Sequence, residues 1–374
     1  MRDSILNKIE EFSKIQGFSE VKVTDFSKLN FYAENLRRFI KNKYHGEMYW
    51  MEQKSSIREN PKNMWYEAKS ALVFGLNYGP NSNPLLEIKK TSTGYISVYA
   101  RRKDYHKVFK KKLKKIAFYI SSISKIKVKI FVDTAPLMEK PLAELSSLGW
   151  IGKHTNLVSK KYGSWLFLGI ILTDHDFKNN QLKGQNNCGT CNACNKVCPT
   201  NAFVKPYKLD ARKCISYLTI EHKSHIEQKF RDAIGNRIFG CDDCLAICPW
   251  NKFAKQNSEI KMNIDNRMTL PSLKKLINLK ESEFKENFSG TPLTRLGYER
   301  FLRNTLIAIG NSYDNSLIKD TIAKLDHSSI LVRAMAIWAL SKLSRKYFII
   351  EKKKRFHMEQ DKSVKKEWKL GNQL

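Results

Sequence analysis

The apolar residues of the first segment, MRDSILNKIEEFSK, recur at helical spacing with charges between them, which predicts an amphipathic helix. Ala71 to Leu76 is a short apolar run that stops at Tyr78-Gly79-Pro80, the pattern of a strand ending in a turn. From Tyr105 to Ile120 the spacing is again helical, with Val108, Leu113, Ile116 and Ile120 on the apolar side. Val128 to Val132 reads as a β-branched strand that delivers Asp133 at its end, where α/β domains place reacting groups. Leu148-Gly149-Trp150-Ile151-Gly152-Lys153 is a glycine-punctuated turn, and Trp165 to Leu172 is another buried strand.

Beyond about Lys255 the pattern turns helical. Phe301 to Ile309 and Ser329 to Leu343 are each long enough for one helix of a packed pair. Ala334, Ala336 and Ala339 alternate with Trp338 and Leu340, a mixture of sizes that lets helices stack as in a HEAT-type solenoid. The tail after Phe348 holds Lys352, Lys353, Lys354 and Arg355 and is expected to fray. The periodicities thus divide the chain into an α/β domain at 1–184, a cysteine-bearing domain at 185–254 and a helical domain with a basic tail at 255–374.

All eight cysteines fall between Asn186 and Asn251. Cys188, Cys191, Cys194 and Cys198 form C-x2-C-x2-C-x3-C-P, Cys214 stands alone, and Cys241, Cys244 and Cys248 form C-x2-C-x3-C-P. Three close thiolates followed by Cys-Pro grip a cubane iron–sulfur cluster, and in two-cluster ferredoxins each Cys-Pro cysteine ligates the other run's cluster. Here one [4Fe-4S] cluster takes Cys188, Cys191, Cys194 and Cys248. The other takes Cys198, Cys214, Cys241 and Cys244, with Cys214 replacing the missing first cysteine of the second run. Structural zinc prefers two C-x2-C pairs, and disulfide frameworks belong to small secreted chains.

Composition changes the picture in one respect. With 67 Lys and Arg against 36 Asp and Glu, the formal charge of +31 points to a polyanionic partner such as nucleic acid. The first residues lack the apolar core of a signal peptide. The run Trp165 to Leu172 falls short of the roughly 20 apolar residues that span a bilayer. A soluble, cytoplasmic chain without a membrane partner is expected.

Several motifs together carry a resemblance. They are Arg58-Glu59-Asn60-Pro61, Tyr99-Ala100 with Asp104-Tyr105-His106, Val132-Asp133-Thr134-Ala135-Pro136, and Leu148 to Lys153. The cysteine pattern follows, with Cys214-Ile215-Ser216-Tyr217 through Glu221, Phe239-Gly240-Cys241-Asp242, Pro249-Trp250-Asn251 and Phe301-Leu302-Arg303-Asn304. Over Arg58 to about Leu343 the chain closely resembles the epoxyqueuosine reductase family.

The resemblance implies an α/β cobalamin-binding domain, a ferredoxin-like two-cluster domain and a C-terminal HEAT-like α-helical domain. It implies reduction of epoxyqueuosine to queuosine at the wobble position of tRNA, with electrons passing through two [4Fe-4S] clusters to cobalamin. An unidentified reductant or electron-transfer protein would supply them, and the chain would act as a monomer. Asp133 is implied as proton donor, provided that burial raises its pKa toward neutrality. Arg58, Asn156, Ser216 and Asp242 are implied as cobalamin contacts and Lys223 as a tRNA contact, with the basic stretch Lys110 to Lys115 a further phosphate candidate. Two positions depart from the family: Arg102 stands where glycine is usual, and Lys140 where arginine is common.

Two other functions use the same features. A cobalamin reductase of the dehalogenase kind shares the cofactors but is usually exported. A non-enzymatic ferredoxin module joined to a nucleic-acid-binding domain leaves Asp133 and the Gly149 to Lys153 motif without a role.

Overall fold

The computed structural model describes residues 4–133, 135–177, 186–254 and 264–371. The expected divisions near Gly184 and Lys255, and Thr134 of the strand-end motif, lie outside the described residues. Backbone contacts gather the chain into two interleaved units. One comprises Met1–Ser82, Asp104–Arg212 and Asp243–Asn263, the other Asn83–Lys103, Lys213–Asp242 and Ile264–Leu374.

The first unit is built on a sheet. Its principal elements are α1 (Ser4–Ile15), β1 (Glu20–Thr24), α2 (Asn30–Lys41), β2 (Ser70–Asn77), α3 (Tyr105–Ile123), β3 (Val128–Phe131), α4 (Glu139–Leu145) and β4 (Leu166–Thr173). The sheet order is β1-β2-β4-β3, and Val23, Leu72, Ile171 and Ile130 form one row across it. All eight residues of β2 are buried, as expected of a strand covered on both faces. On one face Ala71, Val73, Leu168, Ile170 and Leu172 pack with Leu142, Ala143 and Leu145 of α4. On the other, Phe74 and Phe109 flank Phe18, and Phe109 of α3 occupies the space a side chain at position 169 would need, which glycine leaves open.

Every pairing in this sheet is antiparallel. The expected α/β domain is a mixed helix and sheet arrangement whose sheet is antiparallel, so the strand-end rule for parallel sheets does not apply. Asp133 owes its place to the loop from β3 to α4. Because β2 and β3 both run opposite to β4, the ends of β2 and β3 and the start of β4 share one edge. There Phe167 stacks between Tyr78 at 4.2 Å and Tyr105 at 4.0 Å, anchoring the start of α3.

The second unit is mainly helical. Its longer elements are α5 (Tyr298–Gly310), α6 (Ile330–Leu343), α7 (Arg345–Arg355) and α8 (Lys362–Leu370). The expected packed pair corresponds to α5 and α6, and Gly310 gives Trp338 the room to lie against α5. Helix α6 is apolar nearly all round and buried from Ala334 to Ser341.

Among the described residues the tail does not fray, with helices continuing to Leu370. Asp361 caps α8 by accepting from the Ser363 and Val364 N–H groups at 2.8 and 3.0 Å. Phe348, Val364 and Trp368 are almost fully enclosed, and Arg231 holds Glu367 in a buried bidentate pair at 2.6 and 2.8 Å. Of the lysines that suggested fraying, Lys353 and Lys354 are exposed, whereas Lys352 Nζ donates to the Trp368 carbonyl at 2.8 Å. Trp368→Ala should lower unfolding free energy by about 3–5 kcal/mol, as for a large core aromatic. Denaturant titration checks this, and a loss under about 0.5 kcal/mol, the surface-residue range, would indicate a detached tail. Among the described residues no helix is long and apolar enough to cross a membrane.

Candidate functional site

Asp133 sits in the left-handed region at φ 49°, a strained conformation for a residue with a side chain. Three neighbours define its surroundings. Tyr105 donates its hydroxyl to Oδ2 at 3.0 Å, His106 Nε2 lies 2.9 Å from the same oxygen, and the Asp133 N–H donates to Glu139 Oε1 at 2.7 Å. On its other side, His106 Nδ1 is 2.6 Å from Oδ1 of Asp104, which also caps α3 by accepting the His106 N–H at 3.1 Å.

These contacts overturn one expectation. The hydrogen bond from His106 outweighs burial, and with the His106 charge, Tyr105 and Lys140 it holds Asp133 below the usual carboxylate range rather than near neutrality. The groups beside it carry the protons. Burial, then the Asp133 charge, pushes Glu139 up to about 8. Burial alone would lower His106, but its hydrogen bonds to Asp104 and Asp133 and their charges raise it to about 9. Glu139 bears no sequence signal beyond being an acidic residue at a helix start, and only the fold shows its role.

Arg58 belongs to the same cluster: burial lowers its pKa, and the Asp133 charge offsets part of that shift. Its guanidinium lies over Trp50 at 4.8 Å, and its buried Nε has no hydrogen-bond partner among the described residues. A buried donor without an acceptor is what a missing polar ligand would leave, so this residue fits a cofactor contact. Asn156 is held differently. Its Oδ1 accepts from Lys140 Nζ at 2.8 Å, and its N–H donates to His154 Nδ1 at 3.1 Å. Burial, helped by the Lys140 charge, lowers His154 to about 4 and keeps it a neutral acceptor. Lys140 Nζ also donates to the Thr155 carbonyl at 3.4 Å, and an ammonium makes these separate bonds without a bidentate fork.

The other expected contacts belong to the second unit. Asp242 is 2% exposed, and its carboxylate accepts from Tyr95 Oη at 2.6 Å, Ser97 Oγ at 2.8 Å and the Val98 N–H at 2.8 Å. Its side chain is thus turned inward to hold the 95–98 segment. Ser216 Oγ donates to the Cys241 carbonyl at 3.4 Å, and Lys223 is exposed. Arg102 is buried, and it is not among the positive-φ residues, so its backbone does not require the family's glycine.

Cys188, Cys191, Cys194 and Cys248 converge in the first unit. Burial, then the charges of Cys188, Cys248 and Cys191, pushes the Cys194 thiol up to about 11. Cys248 likewise feels Cys188 and Cys191. The loop is held by Lys153, whose Nζ donates to the Gly189 and Cys191 carbonyls at 2.6 and 2.7 Å. Trp250 Nε1 donates to the Asn187 carbonyl at 3.2 Å and its ring meets Trp150 edge-on at 5.0 Å. The Gly149 to Lys153 turn and the Pro249-Trp250-Asn251 motif therefore both serve this loop.

Of the remaining cysteines, Cys198 and Cys244 lie in the first unit and Cys214 and Cys241 in the second. Cys198 Sγ accepts the Ala202 N–H at 3.3 Å. Among the described residues, no three His, Cys, Asp or Glu side chains are grouped to hold a single metal ion.

A family model described as a 4Fe-4S double cluster binding domain matches residues 187–251, which makes the chain a two-cluster iron–sulfur protein. A second, Epoxyqueuosine reductase QueG, DUF1730, matches residues 58–134. The chain is 37% identical to an epoxyqueuosine reductase of Pseudomonas aeruginosa over 339 residues, covering 90% of this chain and 94% of the relative. Against an epoxyqueuosine reductase of Escherichia coli K12 it is 35% identical, covering 91% and 89%. It belongs to the epoxyqueuosine reductase family. A crystal structure of an epoxyqueuosine reductase with an epoxyqueuosine-modified tRNA-Tyr stem loop superposes with a TM-score of 0.90 at 27% identity, covering 99% and 98% of the two chains. A Bacillus subtilis epoxyqueuosine reductase, solved with an aspartate-bearing catalytic loop swung out of its active site, superposes with a TM-score of 0.88 at 27% identity, again covering 99% and 98%.

Proposed function

We propose that this protein reduces epoxyqueuosine to queuosine at the wobble position of tRNA, the last step of queuosine biosynthesis, using two [4Fe-4S] clusters and cobalamin. One observation carries the reading: a family member's double-cluster segment accompanies an acid–base cluster in which Asp133 is flanked by two protonated groups. By spacing, Cys188, Cys191, Cys194 and Cys248 hold one cluster, and Cys198, Cys214, Cys241 and Cys244 the other. Arg58 and Asn156 would hold cobalamin together with Ser216 and, through its backbone, Asp242. Bound cobalamin would supply a reducible cobalt centre for the two-electron reduction.

The chain's own groups manage the oxygen. Breaking the C–O bond develops negative charge there, and a proton delivered through the Asp133 carboxyl from its protonated neighbours neutralises it. Residues 1–184 serve cofactor and substrate, 185–254 the electron relay, and 255–374 form a HEAT-like support. The enzyme works in the cytoplasm as a monomer, fed by a separate reductant. Anaerobic incubation of the cluster-loaded, cobalamin-supplemented chain with epoxyqueuosine tRNA, read by nucleoside mass spectrometry, should show loss of one oxygen. Protein that carries both clusters yet ignores cobalamin overturns the reading.

Lys223 meets a tRNA phosphate in this scheme. Lys223→Glu should weaken stem-loop binding at every sequence and reduce the slope of log affinity against log salt by about one or more. Anisotropy titrations at several salt concentrations test this, and an unchanged slope removes the contact.

A further inference from the structure

The imidazole of His106 has a carboxylate oxygen at hydrogen-bond distance on each ring nitrogen: Asp104 Oδ1 at 2.6 Å and Asp133 Oδ2 at 2.9 Å. Both carboxylates already accept elsewhere, Asp104 from the His106 N–H and Asp133 from Tyr105. Ionised carboxylates only accept, so satisfying both contacts requires an N–H on each nitrogen. The ring is 13% exposed, which lets it exchange with water while remaining clamped.

We infer that His106 is the proton store of this site, a positioning residue held doubly protonated between Asp104 and Asp133 that passes a proton through the Asp133 carboxyl to the departing oxygen. This rests on the proposed reaction. Removing an epoxide oxygen breaks two C–O bonds, forms a C=C bond and releases water, consuming two electrons and two protons. The electrons come from a low-potential one-electron reductant by way of the clusters. One proton moves from His106 Nε2 to Asp133, which releases it to the oxygen and ends ionised. The second comes from water, which also reprotonates the neutral His106.

The charged and titratable groups facing this pair are Asp104, Glu139, Tyr105, Lys140 and Arg58. The acidic members favour the imidazolium, and its raised pKa of about 9 agrees with the geometry. Activity should therefore fall as pH rises through about 9, where His106 loses its proton.

The test reads the histidine directly. In the full chain with clusters and without cobalamin, 13C-histidine NMR should show one imidazole titrating near 9, absent in His106→Gln and moved to lower pH in Asp104→Asn. In the holoenzyme, His106→Gln should lower kcat about 100-fold with KM little changed, and Asp104→Asn should shift the alkaline limb to lower pH. A His106 that titrates at or below the ordinary value near 6.5, or variants with wild-type kcat and pH profile, overturn the inference. Failure to reduce epoxyqueuosine tRNA while His106 still titrates near 9 would instead overturn the reaction.

Discussion

Asp133→Asn is expected to lower kcat by about 10²–10⁴-fold, the range a positioned general acid supplies. Asparagine keeps the size and can still accept from Tyr105 and His106, but it cannot take a proton from His106 and pass it on. The substitution also removes the charge that raises both Glu139 and His106. The His106 titration should therefore move to lower pH, whereas loop geometry should change little, because the Asp133 N–H to Glu139 contact is made by the backbone. Anaerobic single-turnover rates, with cobalamin binding measured separately, separate these effects. Full turnover by Asp133→Asn would remove the proton-transfer role while leaving the family membership untouched.

Cys248→Ala is expected to empty the cluster held by the first cysteine run. Iron should fall from about eight to about four per chain, the content of one cubane, and turnover should be lost with the electron path. The pairing of variants is the sharper measurement. Cys191→Ala with Cys248→Ala should cost no more iron than either change alone, because both remove ligands of one cluster. Cys191→Ala with Cys244→Ala should empty both. If each run instead keeps its own Cys-Pro cysteine, Cys191→Ala with Cys248→Ala would empty both clusters, whereas the Cys191→Ala and Cys244→Ala pair empties both in either arrangement. The proximity of Cys248 to Cys188, Cys191 and Cys194 supports the crossed arrangement.

Much of the sheet core was legible because its strands are short apolar runs. Ser70–Asn77 and Leu166–Thr173 each lie within one residue of the runs read from the sequence. Glu20–Thr24 was missed although EVKVT alternates, since five residues with three polar side chains resemble a loop. The basic helix was placed correctly, but Phe109 rather than Val108 begins its buried stripe. Its Lys112 donates to the Gln16 carbonyl, so that lysine is tied within the unit. The strand direction was not legible at all. A fully buried antiparallel strand and a parallel one share the same continuous apolar pattern, and only the pairing distinguishes them.

The sequence by itself determined the cluster chemistry, because thiolate number, the two-residue spacings and Cys-Pro are local covalent facts. It also determined the family, through the order of many short motifs. Tertiary structure alone decided the protonation of the acid–base cluster. His106 and Asp133 are 27 positions apart, and their pKa values follow from a 2.9 Å contact formed when β3 and the start of α3 share one edge of an antiparallel sheet. Charge–charge coupling depends on distance and burial, neither of which a linear pattern records.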